Sequence, residues 1–125
     1  MKKKKTDGQN TEIPEFLIDD KGILKKYNGT ELHVMIPDTV TSIGDGAFKN
    51  NKNLISVTFP EEINSIGHYA FSGCRKLTSL VIPDSVKAIG DYAFKGCKCL
   101  SNLDIPNNVQ RIGKGACNMT TIILY

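Results

Sequence analysis

The sequence repeats itself every 23 residues, and this period constrains the fold more strongly than any other feature of the chain. Four residue types recur at that spacing, namely Pro37, Pro60, Pro83 and Pro106; Ile43, Ile66, Ile89 and Ile112; Gly44, Gly67, Gly90 and Gly113; and Ala47, Ala70, Ala93 and Ala116. Residues 34–125 hold four such periods without a gap. A period of ~20–50 residues is typical of a solenoid, in which each repeat forms one coil that stacks on the next.

The residue types within one period predict two extended segments and a tight turn. Residues 54–59 alternate between inward apolar and outward polar side chains, which indicates a half-buried strand. Pro60 lacks an N–H donor and ends that strand. Residues 63–66 alternate again and predict a second, shorter extended segment, after which Gly67 marks a corner that needs either positive φ or a close backbone approach. Residues 68–71 predict a single helical or 3₁₀ turn with its Ala and Phe facing inward.

Stacking of the coils is what makes this pattern stable. One coil cannot bury its apolar side chains alone, whereas neighbouring coils cover both of its sides. At the parallel strand spacing of ~4.8 Å, equivalent residues should form columns along the stack. We expect an isoleucine column, an alanine column, a leucine column at Leu54, Leu77 and Leu100 with Ile123 next, and a phenylalanine column at Phe48, Phe71 and Phe94 with Cys117 in the fourth place.

The repeat motif resembles a known family. In the third period it consists of Leu77, Leu80, Ile82, Pro83, Val86, Ile89, Gly90, Ala93, Phe94 and Cys97. This pattern is similar to the BspA-type, or treponemal-class, leucine-rich repeat. The resemblance implies an α/β-type, strand-rich solenoid of about four 23-residue coils, with short parallel strands on a concave face. It also implies a cell-surface or secreted protein with an adhesive, protein-binding role and no catalysis.

The chain divides into three parts on this interpretation. Residues 1–12 are expected to be a disordered basic and polar tail, because no apolar stretch of a signal peptide follows Lys2 to Lys5. Residues 13–33 resemble the capping hairpin of the family, with turn signals at residues 20–22 and 28–29. A hairpin at residues 15–27 would cover the exposed edge of the first coil. Residues 34–125 form the solenoid.

Composition and charge exclude several classes of function. The chain is 40% hydrophobic and 23% charged, which is ordinary for a globular protein. It has no apolar run of ~18 residues, so we expect no membrane insertion. The net charge is +3, but Lys2 to Lys5 supply four of the 16 basic residues against 13 acidic ones. The remaining body is therefore nearly neutral and carries no footprint for nucleic acid.

The outward strand positions are the predicted partner-binding residues, and the resemblance places them on the concave face. They form two rows, namely His33, Ser56, Ser79 and Asn102, and Met35, Thr58, Val81 and Asp104. These side chains are mostly small and weakly polar, which suits contact with a protein or a glycan. The other histidine, His68, shares its repeat position with Asp45, Asp91 and Lys114, so we expect it to be exposed.

The four cysteines leave alternatives open. Cys74 and Cys97 are one period apart and should stack as buried, reduced thiols, although a disulfide between adjacent coils is geometrically conceivable. In an extended segment Cys97 and Cys99 would lie on the same side, which keeps a thiol-dependent or metal-dependent activity as a minor alternative. The Cys-x-Cys spacing has no second pair to complete a zinc site. We therefore predict no metal and no cofactor.

The predicted function is non-catalytic binding. Repeats place the same residue type at the same position, so no Ser/His/Asp constellation can be drawn from them. A structural or self-assembling segment of a longer repeat protein is the alternative. In that case the C-terminal edge formed by Ile122, Ile123, Leu124 and Tyr125, which begins a fifth strand, would pair with another molecule.

Overall fold

The computed structural model describes residues 13–117 and 121–124. Short strands dominate these residues, and they contain no helix and so none that could span a membrane. The strands are β1 Phe16–Ile18, β2 Ile23–Tyr27, β3 His33–Met35, β4 Ser42–Ile43, β5 Ser56–Thr58, β6 Ser65–Ile66, β7 Ser79–Leu80, β8 Ala88–Ile89, β9 Asn102–Ile105, β10 Arg111–Ile112 and β11 Thr121–Leu124. The strand-rich solenoid predicted from the repeat is confirmed, with turns in place of a helix.

The largest sheet is built from the second, shorter extended segment of each coil. Its order is β1-β2-β4-β6-β8-β10, in which β1 and β2 are antiparallel and the other neighbours are parallel. The pairing aligns one apolar residue from each strand, namely Leu24, Ile43, Ile66, Ile89 and Ile112. The N-terminal hairpin therefore covers the first coil by adding a leucine to the isoleucine column.

The longer strands form a second set that is interrupted. β3, β5 and β7 pair in parallel and in register, whereas β9 pairs with β11 in a separate two-stranded sheet. No ladder joins β7 to β9. The predicted fifth strand is confirmed by β11, which contains Ile122, Ile123 and Leu124, and Tyr125 lies outside the described residues.

Each coil closes through successive tight turns that bring alanine and phenylalanine into the core. In the second coil, the N–H of Ala70 donates to the carbonyl of Gly67, and the N–H of Ser72 donates to that of Tyr69. Ala70 and Phe71 are fully buried. The inward Ala and Phe are confirmed, but the single helical or 3₁₀ turn predicted at residues 68–71 is wrong, because two successive turns form and Tyr69 has φ of 57°, outside the right-handed helical region.

The aromatic rings form a continuous column through the core. Ring centroids lie 4.8 Å apart between Phe48 and Phe71 and 5.4 Å apart between Phe71 and Phe94, with the planes 7° from parallel in both pairs. Tyr27 stacks on Phe48 at 5.2 Å, and Phe16 lies 5.1 Å from Tyr27. The capping hairpin thus extends this column as well.

The corner glycines are required for close approach between coils. Gly67 donates its N–H to the carbonyl of Ile43 at 2.8 Å. A Cβ at Gly67 would lie 2.7 Å from the backbone nitrogen of Asp45 and 2.8 Å from the carbonyl carbon of Gly44. Of the two explanations that the sequence left open, backbone proximity is the one that applies, because Gly67 is not among the residues with positive φ.

Candidate functional site

The first predicted row lies on adjacent strands with its members in register. His33 pairs with Ser56, and Ser56 pairs with Ser79, across β3, β5 and β7. The Nδ1 atom of His33 lies 2.7 Å from the Oγ of Ser56, so the imidazole is fixed over the second strand by a hydrogen bond. Val34 and Val57, between the row positions, are buried. This alternation is what keeps the polar side chains outward.

The second row carries the most exposed large apolar side chains among the described residues. Val81, directly after β7, is 80% exposed, and Met35 at the end of β3 is 75% exposed. Thr58 lies between them in the stack and pairs with Met35. Exposed apolar side chains held side by side on a regular surface are typical of contact sites for another molecule.

Two shallow grooves follow the second row. One, of about 450 Å³, runs between Met35 and Thr58, with Asp38, Glu61 and Glu62 at its border. The other, of about 320 Å³, runs between Thr58 and Val81. Phe59 and Pro60 line both grooves. Phe59 and Pro60 were not among the predicted binding residues, although the proline that follows each strand at the 23-residue spacing was a signal for them.

The fourth pair of predicted residues belongs to a different sheet. Asn102 and Asp104 lie in β9 and are exposed, but β9 pairs with β11, opposite Thr121 and Ile123. Strand pairing therefore holds the first row in register over three coils and the second row over two, since Val81 lies directly after β7. We refer to the outward residues of β3, β5 and β7 with Val81 as the strand face.

The cysteines do not form a reactive or metal-binding pair. Cys97 is fully buried and Cys99 is exposed, so the expectation that they share a side is wrong. The segment is a turn and not a strand, which removes the two-residue alternation. Within the described part of the chain, no three His, Cys, Asp or Glu side chains are grouped as a metal site requires.

The buried thiols are reduced and protonated. Cys74 and Cys97 are free, and their Sγ atoms donate to the carbonyls of Phe48 and Phe71, each at 3.1 Å. Burial raises the pKa of both thiols to about 12 and also raises that of Cys117. A thiol with such a pKa has little thiolate at neutral pH, and the thiolate is the nucleophile and the metal ligand.

The position of His68 has a structural role that the sequence analysis missed. The Oδ1 of Asp45 accepts the N–H of His68 at 2.9 Å, and the Nδ1 of His68 accepts the N–H of Asp91 at 2.8 Å. The Oδ1 of Asp91 in turn accepts the N–H of Lys114 at 2.9 Å. Each side chain thus satisfies the equivalent backbone donor of the next coil. His68 is exposed as expected. The signal for its role was that Asp45, His68 and Asp91, at the same repeat position, all have side chains that can accept a hydrogen bond.

The repeats of this chain match a known family. The model of the BspA type leucine rich repeat region matches residues 25–124, in six copies. No curated protein matches the chain at a significant level.

Several solved structures share the fold. The pneumococcal vaccine antigen PcpA is 27% identical with a TM-score of 0.76, over 86% of this chain and 29% of that one. A leucine-rich repeat protein from Bacteroides ovatus is 30% identical with a TM-score of 0.73, over 90% and 32% of the two chains. One from Bacteroides capillosus is 25% identical with a TM-score of 0.74, over 88% and 92%. The chain thus spans about a third of the first two of these proteins.

Proposed function

The chain belongs to the BspA-type leucine-rich repeat family, and we propose that it binds a protein partner through its strand face without catalysing a reaction. The observation that carries this proposal is the pair of exposed apolar side chains, Met35 and Val81, aligned by the coils on either side of Thr58. Leucine-rich repeat proteins generally bind proteins and are generally non-catalytic.

The surroundings of the strand face indicate the chemistry of the partner. Asp38, Glu61 and Glu62 border the groove beside Met35, and all three are exposed. A partner that inserts apolar side chains into the two grooves and places Lys or Arg around them would match both features. The acidic border gives specificity and faster association, whereas the apolar contacts supply most of the affinity.

The size of the face predicts weak binding by this chain alone. The three coils of the strand face span only ~15 Å along the stack, and interfaces below ~1,200 Å² of total buried surface are typical of transient complexes. We therefore expect affinities in the micromolar range or weaker. The family resemblance further supports a location at the cell surface or outside the cell.

A photo-crosslinking experiment tests the strand face. A photoreactive amino acid replaces Val81 in one variant and Lys87 in a matched control, since both are exposed and belong to the same coil. We expect the Val81 variant alone to form a saturable protein adduct with surface extracts of the source organism. Excess unlabelled wild type should compete for that adduct.

The competitor variant makes the test specific. Met35→Lys/Val81→Lys changes two exposed side chains that lie two coils apart, so it should fail to compete although it unfolds at the wild-type denaturant midpoint. Equal adducts from the Val81 and Lys87 variants, or full competition by the lysine variant, would contradict the proposal.

A further inference from the structure

The nearly neutral body of the protein consists of two oppositely charged sides. We define the turn edge as residues 44–53, 67–76, 90–99 and 113–117. It has two acidic residues, Asp45 and Asp91, and seven exposed basic ones, namely Lys49, Lys52, Arg75, Lys76, Lys95, Lys98 and Lys114. The remaining arcs of the coils have the reverse balance, with only Lys87 and Arg111 against Asp38, Glu61, Glu62, Asp84 and Asp104. The repeat therefore separates charges that the net value conceals.

Three of the basic residues form a column. Lys52, Arg75 and Lys98 occupy the same repeat position, so the stack places them in consecutive coils at the strand spacing of ~4.8 Å. Like charges on neighbouring exposed positions repel each other. No lysine or arginine of the described residues lies within ion-pair distance of a carboxylate, and the contact of that kind found there joins the Nδ1 of His68 to Asp91 at 3.8 Å. The column therefore opposes folding and is available to bind a string of anions.

The column begins at a basic recess. A depression of about 620 Å³ lies where the hairpin meets the first coil, and Lys26, Lys49 and Lys52 line it together with asparagine amides. No aspartate or glutamate is among its lining residues. The recess and the column thus make one continuous path along the turn edge for a negatively charged chain.

Two stacked tyrosines position further cations on the same edge. Tyr69 and Tyr92 both have φ of 57°, at a repeat position that Gly46 and Gly115 occupy in the outer coils. Their rings stack at 5.3 Å, and the Nζ atoms of Lys49 and Lys95 lie 5.1 Å from the ring centroids of Tyr69 and Tyr92, respectively. Cations held in place this way lose less conformational freedom when an anion binds.

The same stack determines which polyanion fits. Single-stranded nucleic acid needs free aromatic faces on which bases can stack. The two tyrosine rings cover each other, and a lysine covers each ring, while the ring of Tyr92 also lies against Gly115. No helix in the described residues could enter a DNA groove either. A flexible sugar chain with regularly spaced anionic groups needs neither feature.

We propose that the turn edge is a second binding surface, which takes a linear anionic polysaccharide along Lys52, Arg75 and Lys98. The ligand's sulfate or carboxylate groups would follow the column from the recess near Lys26 toward the fourth coil. This surface is separate from the strand face, so the two bind independently.

The test measures binding of a heparin oligosaccharide to the full chain by calorimetry over a salt series. Lys52→Gln/Arg75→Gln/Lys98→Gln should weaken binding by about tenfold or more and reduce the salt slope by about two to three. The matched control Lys21→Gln/Lys87→Gln/Arg111→Gln loses the same charge from exposed residues off the turn edge and should bind within about threefold of wild type. A hyaluronan oligosaccharide of equal length, which carries carboxylates only, should bind at the same column more weakly than heparin.

Further variants separate this surface from its competitors. A chain with glutamine at Lys2 to Lys5 should keep its affinity within about threefold, and Met35→Ser/Val81→Ser should leave heparin binding unchanged. The proposal would be overturned if the edge and control triple variants lost the same affinity for heparin, or if the variant with glutamine at residues 2–5 lost that affinity instead.

It would also be overturned if an oligothymidylate of the same length bound as tightly as heparin. The same conclusion would follow if the chain formed salt-sensitive dimers through the turn edge that heparin did not disrupt. The edge triple variant should unfold at or above the wild-type midpoint, because it removes like-charge repulsion.

Discussion

The two ends of the stack complete the same columns in different ways. At the N-terminal end, β2 contributes Leu24 to the isoleucine column and Tyr27 to the aromatic column, and both side chains are buried. In the fourth coil, Ile112 is 40% exposed, whereas Ile43, Ile66 and Ile89 are each 1% exposed. The hairpin lacks the repeat motif and still completes the columns, while a residue in full register loses burial. Burial in this fold thus depends on the neighbouring coil more than on the repeat residue itself.

The largest predicted effect lies at the middle of the aromatic column. Phe71 is fully buried between Phe48 and Phe94 and also contacts Phe59 edge-on at 6.0 Å. Phe71→Ala should lower the free energy of unfolding by ~3–5 kcal/mol, because it leaves a cavity that two stacked rings cannot fill. Urea unfolding measures this loss. A loss below ~1 kcal/mol would show that the ring is not packed as described.

A matched pair of substitutions tests the contrast between the middle of the stack and the fourth coil. Ile66→Ala should cost ~2–5 kcal/mol, as is usual for a buried isoleucine. The same change at Ile112 should cost ~1 kcal/mol or less, because this side chain is already 40% exposed. Denaturant midpoints of the two variants give the difference directly. Equal costs would contradict the conclusion that burial decreases in the fourth coil.

Alkaline pH should distinguish the inner thiols from that of the fourth coil. The ordinary pKa of 9.0 is raised to about 12 for Cys74 and Cys97 by burial. The unfolded chain therefore loses these protons first, and the stabilisation, complete below pH 9, is lost as pH rises toward 12. Cys74→Ala/Cys97→Ala should reduce the fall in unfolding free energy between pH 8 and about pH 11.

Single substitutions of the other two cysteines serve as controls for that experiment. Cys117→Ala should reduce the fall less than the double variant does, because Cys117 is 8% exposed and the inner thiols are fully buried. Cys99→Ala changes an exposed thiol and serves as the control for the substitution of a cysteine outside the core. A double variant that follows the wild-type curve would contradict the account of the buried thiols.

A pair of substitutions at Tyr27 separates the hydrogen bonds of the hairpin from its ring stacking. The hydroxyl of Tyr27 donates to the Oε2 of Glu15 at 3.3 Å and accepts the N–H of Glu31 at 3.2 Å. Tyr27→Phe removes both bonds but keeps the ring on Phe48, so it should cost only ~0.5–1.5 kcal/mol. Tyr27→Ala also removes the ring and should cost more, ~3 kcal/mol or above. Equal costs for the two variants would mean that stacking on Phe48 contributes nothing to the N-terminal end.

Much of the fold could be predicted from the sequence because the same apolar residue type recurs at each inward position in successive repeats. The predicted columns are confirmed by the burial of their alanines, phenylalanines and leucines and of the isoleucines in the first three coils, whereas Ile112 is 40% exposed. The break between β7 and β9 could not be predicted, since Leu80 and Leu103 fill equivalent positions and hydrogen-bond pairing leaves no trace in residue type. The hydrogen bonds from Asp45 and His68 were also missed, because polarity alone does not show which donor a side chain satisfies.

The candidate site was predictable only in part. Outward alternation on β3 and β5 indicated the side chains of the strand face, and their exposure agrees with it. The binding role of these residues stays a prediction. The grooves beside them depend on how Phe59 and Pro60 pack between coils, which periodicity does not specify. The separation of a basic turn edge from the more acidic remaining arcs was not predicted, because the net charge adds the charges of both sides of the coil together.

Methyl–methyl nuclear Overhauser contacts among the isoleucines test the register of the stack most directly. The pairing of β4, β6, β8 and β10 predicts contacts from Ile43 to Ile66, from Ile66 to Ile89 and from Ile89 to Ile112. It predicts none between Ile43 and Ile89, which lie two coils apart. That set of three sequential contacts would confirm that equivalent residues stack coil on coil. A direct contact between Ile43 and Ile89, or the absence of the sequential ones, would contradict the account.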